Sequence, residues 1–481
     1  PFRTKVVEPI DFTTREERAN LLLEAGFNLF NLKAKNVIID LLTDSGTSAM
    51  SSHQWAELMR GDESYAGCSS FFKLEEAVSS IFGFSEVIPV HQGRAAERIL
   101  FGLLVKPGHI VPSNTHFDTT RANIESGGGI AIDLPVGSSA GDSHKNSSFR
   151  GNIDLEALEA LIKEKGTESI PFGMITLTNN SAGGQPVCLE NIEQYSRLLK
   201  QHSIPFYIDA ARYAENAWLI KTRSEKHSAR SINDIVTDIF RCADGCLMSA
   251  KKDGLANIGG FIALNDELLS SEIKQELILT EGFPTYGGLT GRDLECIAVG
   301  LKEALEEPYL LYRQKSSMYL ARGLQNAGIP IVDPPGLHAI YLDARAFLEH
   351  IEPGQLPGQT LVCQLYLEAG IRSCEIGTVM FGKTDKRSGK ETPHTADLVR
   401  LALPRRVYSQ SHYDYVIEAI DNVFKRRAQI EGMKIAWQPE RLRHFSARFQ
   451  PLSGKKPGEI PATGTTKDSG TQRLSAGSTT S

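Results

Sequence analysis

No stretch of the 481 residues approaches the roughly 18 uninterrupted apolar positions that a membrane helix needs. The opening residues, "PFRTKVVEPIDFTTREER", lack the apolar core of a secretory signal, so the expected compartment is the cytosol. Charges of both signs are mixed to a formal net of -6, with no basic stripe, which argues against nucleic acid as a partner. Cysteine is sparse: seven residues, odd in number and scattered, suit reduced thiols better than a disulfide framework. Their closest pair, "CADGC", has neither a second ligand pair nor nearby histidines, and so does not read as a zinc site. No G-x-G-x-x-G follows a strand pattern, which leaves dinucleotide binding without its fingerprint. What remains is an ordinary soluble composition, 41% hydrophobic and 23% charged, long enough for a large core and two domains.

The clearest organisation lies between about 85 and 265, where short apolar runs alternate with helical patterns. "IPFGMITLTNN" and "IPFYIDAAR" read as strands, and "LENIEQYSRLLKQHS" between them repeats apolar residues at helical spacing. Ser231 is placed to cap the helix "INDIVTDIFRCA", which leads into the strands "DGCLMS" and "GGFIALND". Repeated strand-helix-strand units predict an α/β domain, a mainly parallel sheet with helices on both faces. After about 305, helices such as "EPYLLYRQKSSMYLARGLQNAG" alternate with strands such as "HAIYLDA", as in a smaller α+β domain. The expected division is 1–46 as an arm and the N-terminal part of the small domain, 47–305 as the large domain, and 306–450 as the C-terminal small domain. Residues 451–481, almost all Gly, Ser, Thr, Pro and charge, are expected to be a disordered tail.

In a parallel sheet, ligands gather at the carboxyl ends of strands. There the sequence places Gln92-Gly93-Arg94 before a helix, Asn180 before a glycine turn, Asp209 with Arg212 after it, and Lys251-Lys252. Taken singly, each has a plainer reading: a strand-end Asp usually caps a helix, and "HQGR" is usually a turn. Together they match the needs of pyridoxal phosphate, namely a lysine amine to hold its aldehyde, a carboxylate for its ring nitrogen and N–H donors for its phosphate. Neighbouring residues of an extended segment point to opposite sides, so only one amine of the lysine pair is expected to reach the cofactor.

Nearly the whole chain to about 450 resembles the β-eliminating lyases of aromatic amino acids. The resemblance rests on "LLTDSGTSAM", "RGDESYAG", "HQGRAAE", "FDTTR", "NNSAGGQPV", "DAARYAENA", "MSAKKDG", "EGFPTYGGL", "LPRRVY" and "LRHFSARF", in family order. It implies a fold type I (aspartate aminotransferase-like) subunit with a mainly parallel seven-stranded sheet, a homotetramer with sites shared between two subunits, and release of an arene, pyruvate and ammonia. It makes Lys252 the Schiff-base lysine and the base at the substrate Cα. Gln92, Gly93, Arg94, Ser249 and Lys251 would hold the phosphate region, and Phe117 would stack on the ring. Asp209 would pair with the ring nitrogen, with Asn180 and Arg212 at the 3-hydroxyl oxygen. Thr43, Ser45, Asn180 and Arg405 would grip the substrate carboxylate, and Tyr65 of a neighbouring subunit would help deliver a proton to the leaving ring or orient the cofactor. Without the resemblance, Tyr65 and Arg405 read as a core tyrosine and a surface ion pair. Gly46, Glu63 and Asn257 look like the family's K+ ligands.

Three positions bear on the leaving group. Asp118 and His444 resemble the branch that cleaves tryptophan, and Ile376 stands where the tyrosine-cleaving branch carries an arginine for the phenol. Indole offers an N–H that a carboxylate accepts, whereas a phenol benefits from a cation. Tryptophan is therefore the expected substrate and tyrosine the alternative, although Asn257 is the tyrosine-branch residue. A scaffold that binds the cofactor without turnover is the non-enzymatic alternative.

Overall fold

In the computed structural model, residues 2–137, 148–180, 183–384 and 391–454 are described. Seven strands form the large sheet: β1 (Glu86–Val90), β2 (Ile110–Ser113), β3 (Ile130–Asp133), β4 (Gly173–Thr176), β5 (Phe206–Asp209), β6 (Gly245–Ser249) and β7 (Gly260–Leu264). Their order is β1-β7-β6-β5-β4-β2-β3. Only β7 runs against its neighbours, so the expected mainly parallel sheet is observed.

Strand alternation divides the sheet's side chains between two cores. Tyr207, Leu247 and Ile262 pack with Ala95, Ile99 and Leu100 of helix α1 (Gly93–Leu104). Ile208, Met248 and Phe261 face the opposite way, with Ile235, Ile239 and Phe240 of the helix Ile232–Arg241. Ser231 caps that helix, its hydroxyl accepting from the Asp234 N–H, which removes one of the orphan donors of the first turn.

A further core joins residues between 19 and 41 to residues between 320 and 449. Ile39–Asp40 pairs in parallel with Ile371–Arg372, tying the N-terminal segment to the C-terminal part. Beside them lies an antiparallel sheet of β8 (Ala339–Asp343), β9 (Cys374–Ile376) and β10 (Leu398–Ala402), in the order β9-β10-β8. Of the expected tail, Pro451 closes the strand Arg448–Pro451, and 455–481 lie outside the described residues. Among the described residues, no helix is long and apolar enough to cross a membrane, and all seven cysteines are free.

Candidate active site

β5 and β6 are adjacent, with Asp209 opposite Leu247, so the strand ends carry Asp209 and the Ser249–Lys252 segment side by side. β6 stops at Ser249 and the chain turns, the Lys252 N–H donating to the Ser249 carbonyl. The turn, rather than strand pleating, separates the two lysine amines, because the ladder to β7 ends at Ser249 and Gly260. Lys252 Nζ donates to Ser249 Oγ at 3.0 Å. Burial, then the Arg212 charge and more weakly that of Lys251, pushes the Lys252 amine down to about 8, against the pull of Asp44 and Asp209. Burial also lowers Lys251, with Arg94 adding to it. Asp209 is raised by burial, opposed by Lys252 and Arg212.

Gln92 caps α1, and Gly93 begins it. A Cβ at Gly93 would stand 2.7 Å from Ser249 Cβ, so only glycine lets this helix N-terminus come so close to the end of β6. Arg94 beside it is exposed. Phe117, half-buried, caps α2 (Asp118–Ser126). A helix N-terminus with a glycine cradle, a lysine of lowered pKa, a buried acid on the adjacent strand and a nearby aromatic ring together fit a phosphate-bearing aldehyde with a basic ring nitrogen.

Thr43 and Ser45 flank the buried Asp44, and the Ser45 N–H donates to Thr43 Oγ1 at 3.1 Å. Arg212 forks onto Asp44 at 2.9 and 2.8 Å. Burial resists a charge there, but Arg212 and Arg405 outweigh it and hold the Asp44 carboxyl well below its ordinary value.

The Arg405 side chain is 0% exposed, and its Nη1 and Nη2 pair with Asp44, Glu215 and Asp253 at 3.0, 3.0 and 2.8 Å. The expectation that it grips the substrate carboxylate meets a position where three carboxylates already compensate its charge, while its Nε has no hydrogen-bond partner among the described residues. Arg400 on β10 was missed. The ladders place it opposite Cys374 of β9 and Tyr341 of β8. Its Nη1 reaches Asn180 Oδ1 at 3.4 Å and its Nη2 the Leu42 carbonyl at 3.0 Å, while its buried Nε has no hydrogen-bond partner among the described residues. Asn180 Oδ1 also accepts from Tyr341 Oη at 2.6 Å and lies 3.0 Å from His338 Nε2. Burial, then Arg212, holds His338 well below its ordinary pKa, so it is neutral. A lone arginine inside the apolar run "LVRLA" is the sequence signal that would have found Arg400.

Asp118 and His444, far apart in sequence, meet: His444 Nε2 lies 2.9 Å from Asp118 Oδ2, both buried. Ile376, on β9 opposite Leu398, belongs to an apolar cluster with Cys374 and Tyr341, against which Phe30, Leu42 and Phe381 pack.

Tyr65 stands apart, 68% exposed, its ring 5.5 Å from Phe283 and 5.4 Å from Tyr286. Asn257 Nδ2 donates to the carbonyls of Gly46 and Ser48 at 2.9 and 3.2 Å. Glu63 turns to another element, accepting from the Gly291 N–H at 2.9 Å and pairing with Arg292 at 3.1 Å. Among the described residues, no group of three or more His, Cys, Asp or Glu gathers to hold a metal.

Sheet order and strand-end site define a fold type I enzyme of the pyridoxal-phosphate class. The aspartate aminotransferase of Thermotoga maritima superposes with a TM-score of 0.56 at 15% identity, over 86% of this chain and 98% of that one. The β-eliminating lyase family profile matches residues 40–419, and the chain belongs to that family as a lyase. It is 56% identical over 452 residues to a tryptophanase of Hyphomonas neptunium, covering 94% of this chain and 99% of that protein. It is 46% identical to a tyrosine phenol-lyase of Pasteurella multocida, covering 94% and 98%.

Proposed function

We propose that this chain catalyses the pyridoxal-phosphate-dependent conversion of L-tryptophan and water to indole, pyruvate and ammonia. The observation that carries the substrate choice is the Asp118–His444 pair, whose imidazole meets the ring of Phe30, itself packed on the apolar cluster that holds Ile376. The 52–56% identities to tryptophanases support the same reading. When bound, pyridoxal phosphate supplies a sink for the electron pair left at the substrate Cα.

The helix start at Gly93 with Arg94, Ser249 and Lys251 would hold the phosphate, Phe117 would pack on the ring, and Asp209 would keep its nitrogen protonated. Lys252, held at about 8, holds the aldehyde and then takes the Cα proton, a task for an amine that is partly neutral near neutrality. Arg400, whose hydrogen-bond partners are neutral oxygens whereas Arg405 is paired with three carboxylates, takes the substrate carboxylate together with Thr43, Ser45 and Asn180. Asp118 accepts the indole N–H, His444 orients Asp118, and Tyr65, exposed on its own subunit, brings a proton to the ring carbon of a neighbour's substrate. K+ held through the oxygens of Gly46 and Asn257, with Glu63 reaching it from another subunit because within one chain Glu63 bonds to Gly291 and Arg292 instead, a homotetramer and a cytoplasmic setting complete the reading.

The test is a paired assay of the purified protein with pyridoxal phosphate, L-tryptophan and L-tyrosine, in K+ and again in Na+. Indole is expected in large excess over phenol, and K+ is expected to give the faster turnover. Phenol release equal to or above indole release would overturn the substrate choice, and equal rates in both salts would remove the cation.

A further inference from the structure

Glu97 lies on α1 one turn beyond the glycine cradle, only 7% exposed, and no role in the reaction described above uses it. Burying a carboxylate is costly unless its oxygens are engaged, and both oxygens of Glu97 are. Oε1 accepts from Thr120 Oγ1, and Oε2 accepts from Thr119 Oγ1 at 3.1 Å and from Asn123 Nδ2 at 3.3 Å. All three donors belong to α2, in or just after its first turn. The same turn presents Phe117 and Asp118, and the Thr119 N–H donates to Asp118 Oδ1 at 2.6 Å. Asp118 turns its other oxygen to His444. Hydrogen bonds therefore run from Glu97 through Thr119 to Asp118, and Asp118 Oδ2 approaches His444 Nε2 at 2.9 Å without hydrogen-bond geometry, so the phosphate-facing helix is tied to the turn that holds Asp118 against the imidazole.

We propose that Glu97 is a positioning residue for arene release: it clamps the first turn of α2 so that Asp118 is aimed at His444 and the leaving ring. The proposal rests on the reading of Asp118 and His444 as the indole site. Thr119 and Thr120 can donate to a carboxylate from both sides at once, whereas a glutamine offers one acceptor oxygen and meets the remaining donors with an N–H₂. Burial, with Asp209 and Asp118 adding to it and the threonine hydroxyls opposing, raises the Glu97 carboxyl to about 7, so the two-acceptor clamp is strongest above that pH, where the carboxylate is ionised.

The experiment compares the wild-type holoenzyme with Glu97→Gln on L-tryptophan and on S-methyl-L-cysteine, whose thiolate leaves without an indole site. The tryptophan to S-methylcysteine ratio of kcat/KM is expected to fall by about tenfold, the scale of a misaimed positioning group. Indole affinity, measured by calorimetry, is expected to weaken as well. Thr119→Val, which leaves Glu97 in place and cuts the link at its middle, is expected to lower the same ratio, and it serves if Glu97→Gln fails to fold. Equal losses on both substrates, or an unchanged ratio in Thr119→Val, would overturn the positioning role. A wild type that releases no indole would instead sink the substrate reading, while a wild type that releases indole with unchanged ratios in the variants would sink only Glu97.

Discussion

Arg405 and Arg400 sit in the same short stretch, "RLALPRR", yet their surroundings differ in kind. Arg405 belongs to a buried array in which Arg212, Arg313 and Arg405 face Asp44, Glu215 and Asp253. Three positive groups meet three negative ones, drawn from the N-terminal segment, the large domain and the helix Glu307–Asn326. Arg400 meets only the neutral oxygens of Leu42 and Asn180, although each of the two arginines keeps a buried Nε without a hydrogen-bond partner among the described residues. A compensated buried arginine is a strut; an uncompensated one within a strand is a site open to an anion.

The largest expected effect breaks the strut. Arg405→Met leaves Asp44, Glu215 and Asp253 short of a countercharge, and removing one partner of such a buried array costs about 3–5 kcal/mol. A denaturation midpoint equal to that of the wild type would contradict the structural role. Arg400→Met should leave the midpoint nearly unmoved and raise KM for tryptophan, since the lost charged hydrogen bonds are worth about 1.5–3 kcal/mol, or roughly tenfold to a hundredfold. Arg400→Lys should recover only part of this, because an ammonium cannot fork onto a carboxylate. An unchanged KM in Arg400→Met would return the carboxylate site to another residue.

The same contrast explains what the sequence made legible. Strand and helix patterns in the large domain were readable because each strand alternates between two buried faces and each helix carries one apolar stripe, as with the run ending at Asp209 and the Ser231 cap. Asp209 and the pair Lys251-Lys252 stood out as charged residues at the ends of apolar runs, and the choice of Lys252 within the pair came from the resemblance. Arg400 was hidden because its partners come from three separate segments, at 42, 180 and 341, and no local pattern reports a long-range ladder. Arg405 misled for the converse reason: it lies in a matching motif, and only the fold reveals that carboxylates from positions 44, 215 and 253 converge on it. Asp118 and His444 were singled out through resemblance, but their contact and the link from Glu97 depend on long-range packing, which periodicity alone does not specify.

The smallest expected effect concerns the lysine pair at the end of β6. In the cofactor-free chain, the Lys252 amine should react with a small amine reagent with a midpoint near pH 8 rather than near 10.5, because burial and Arg212 disfavour its charged form. Between those two values the unfolded chain keeps a proton that the folded chain has lost, so this group makes the folded state more stable as pH rises through that window. Lys251 contributes the last and weakest of the pulls toward the neutral amine. Lys251→Met should therefore move the midpoint upward, and by less than about one unit. A midpoint that stays fixed would confine Lys251 to the phosphate side and leave burial and Arg212 as the source of Lys252's basicity, whereas a shift as large as that of Arg212→Met would make the neighbouring lysine an equal partner in setting it.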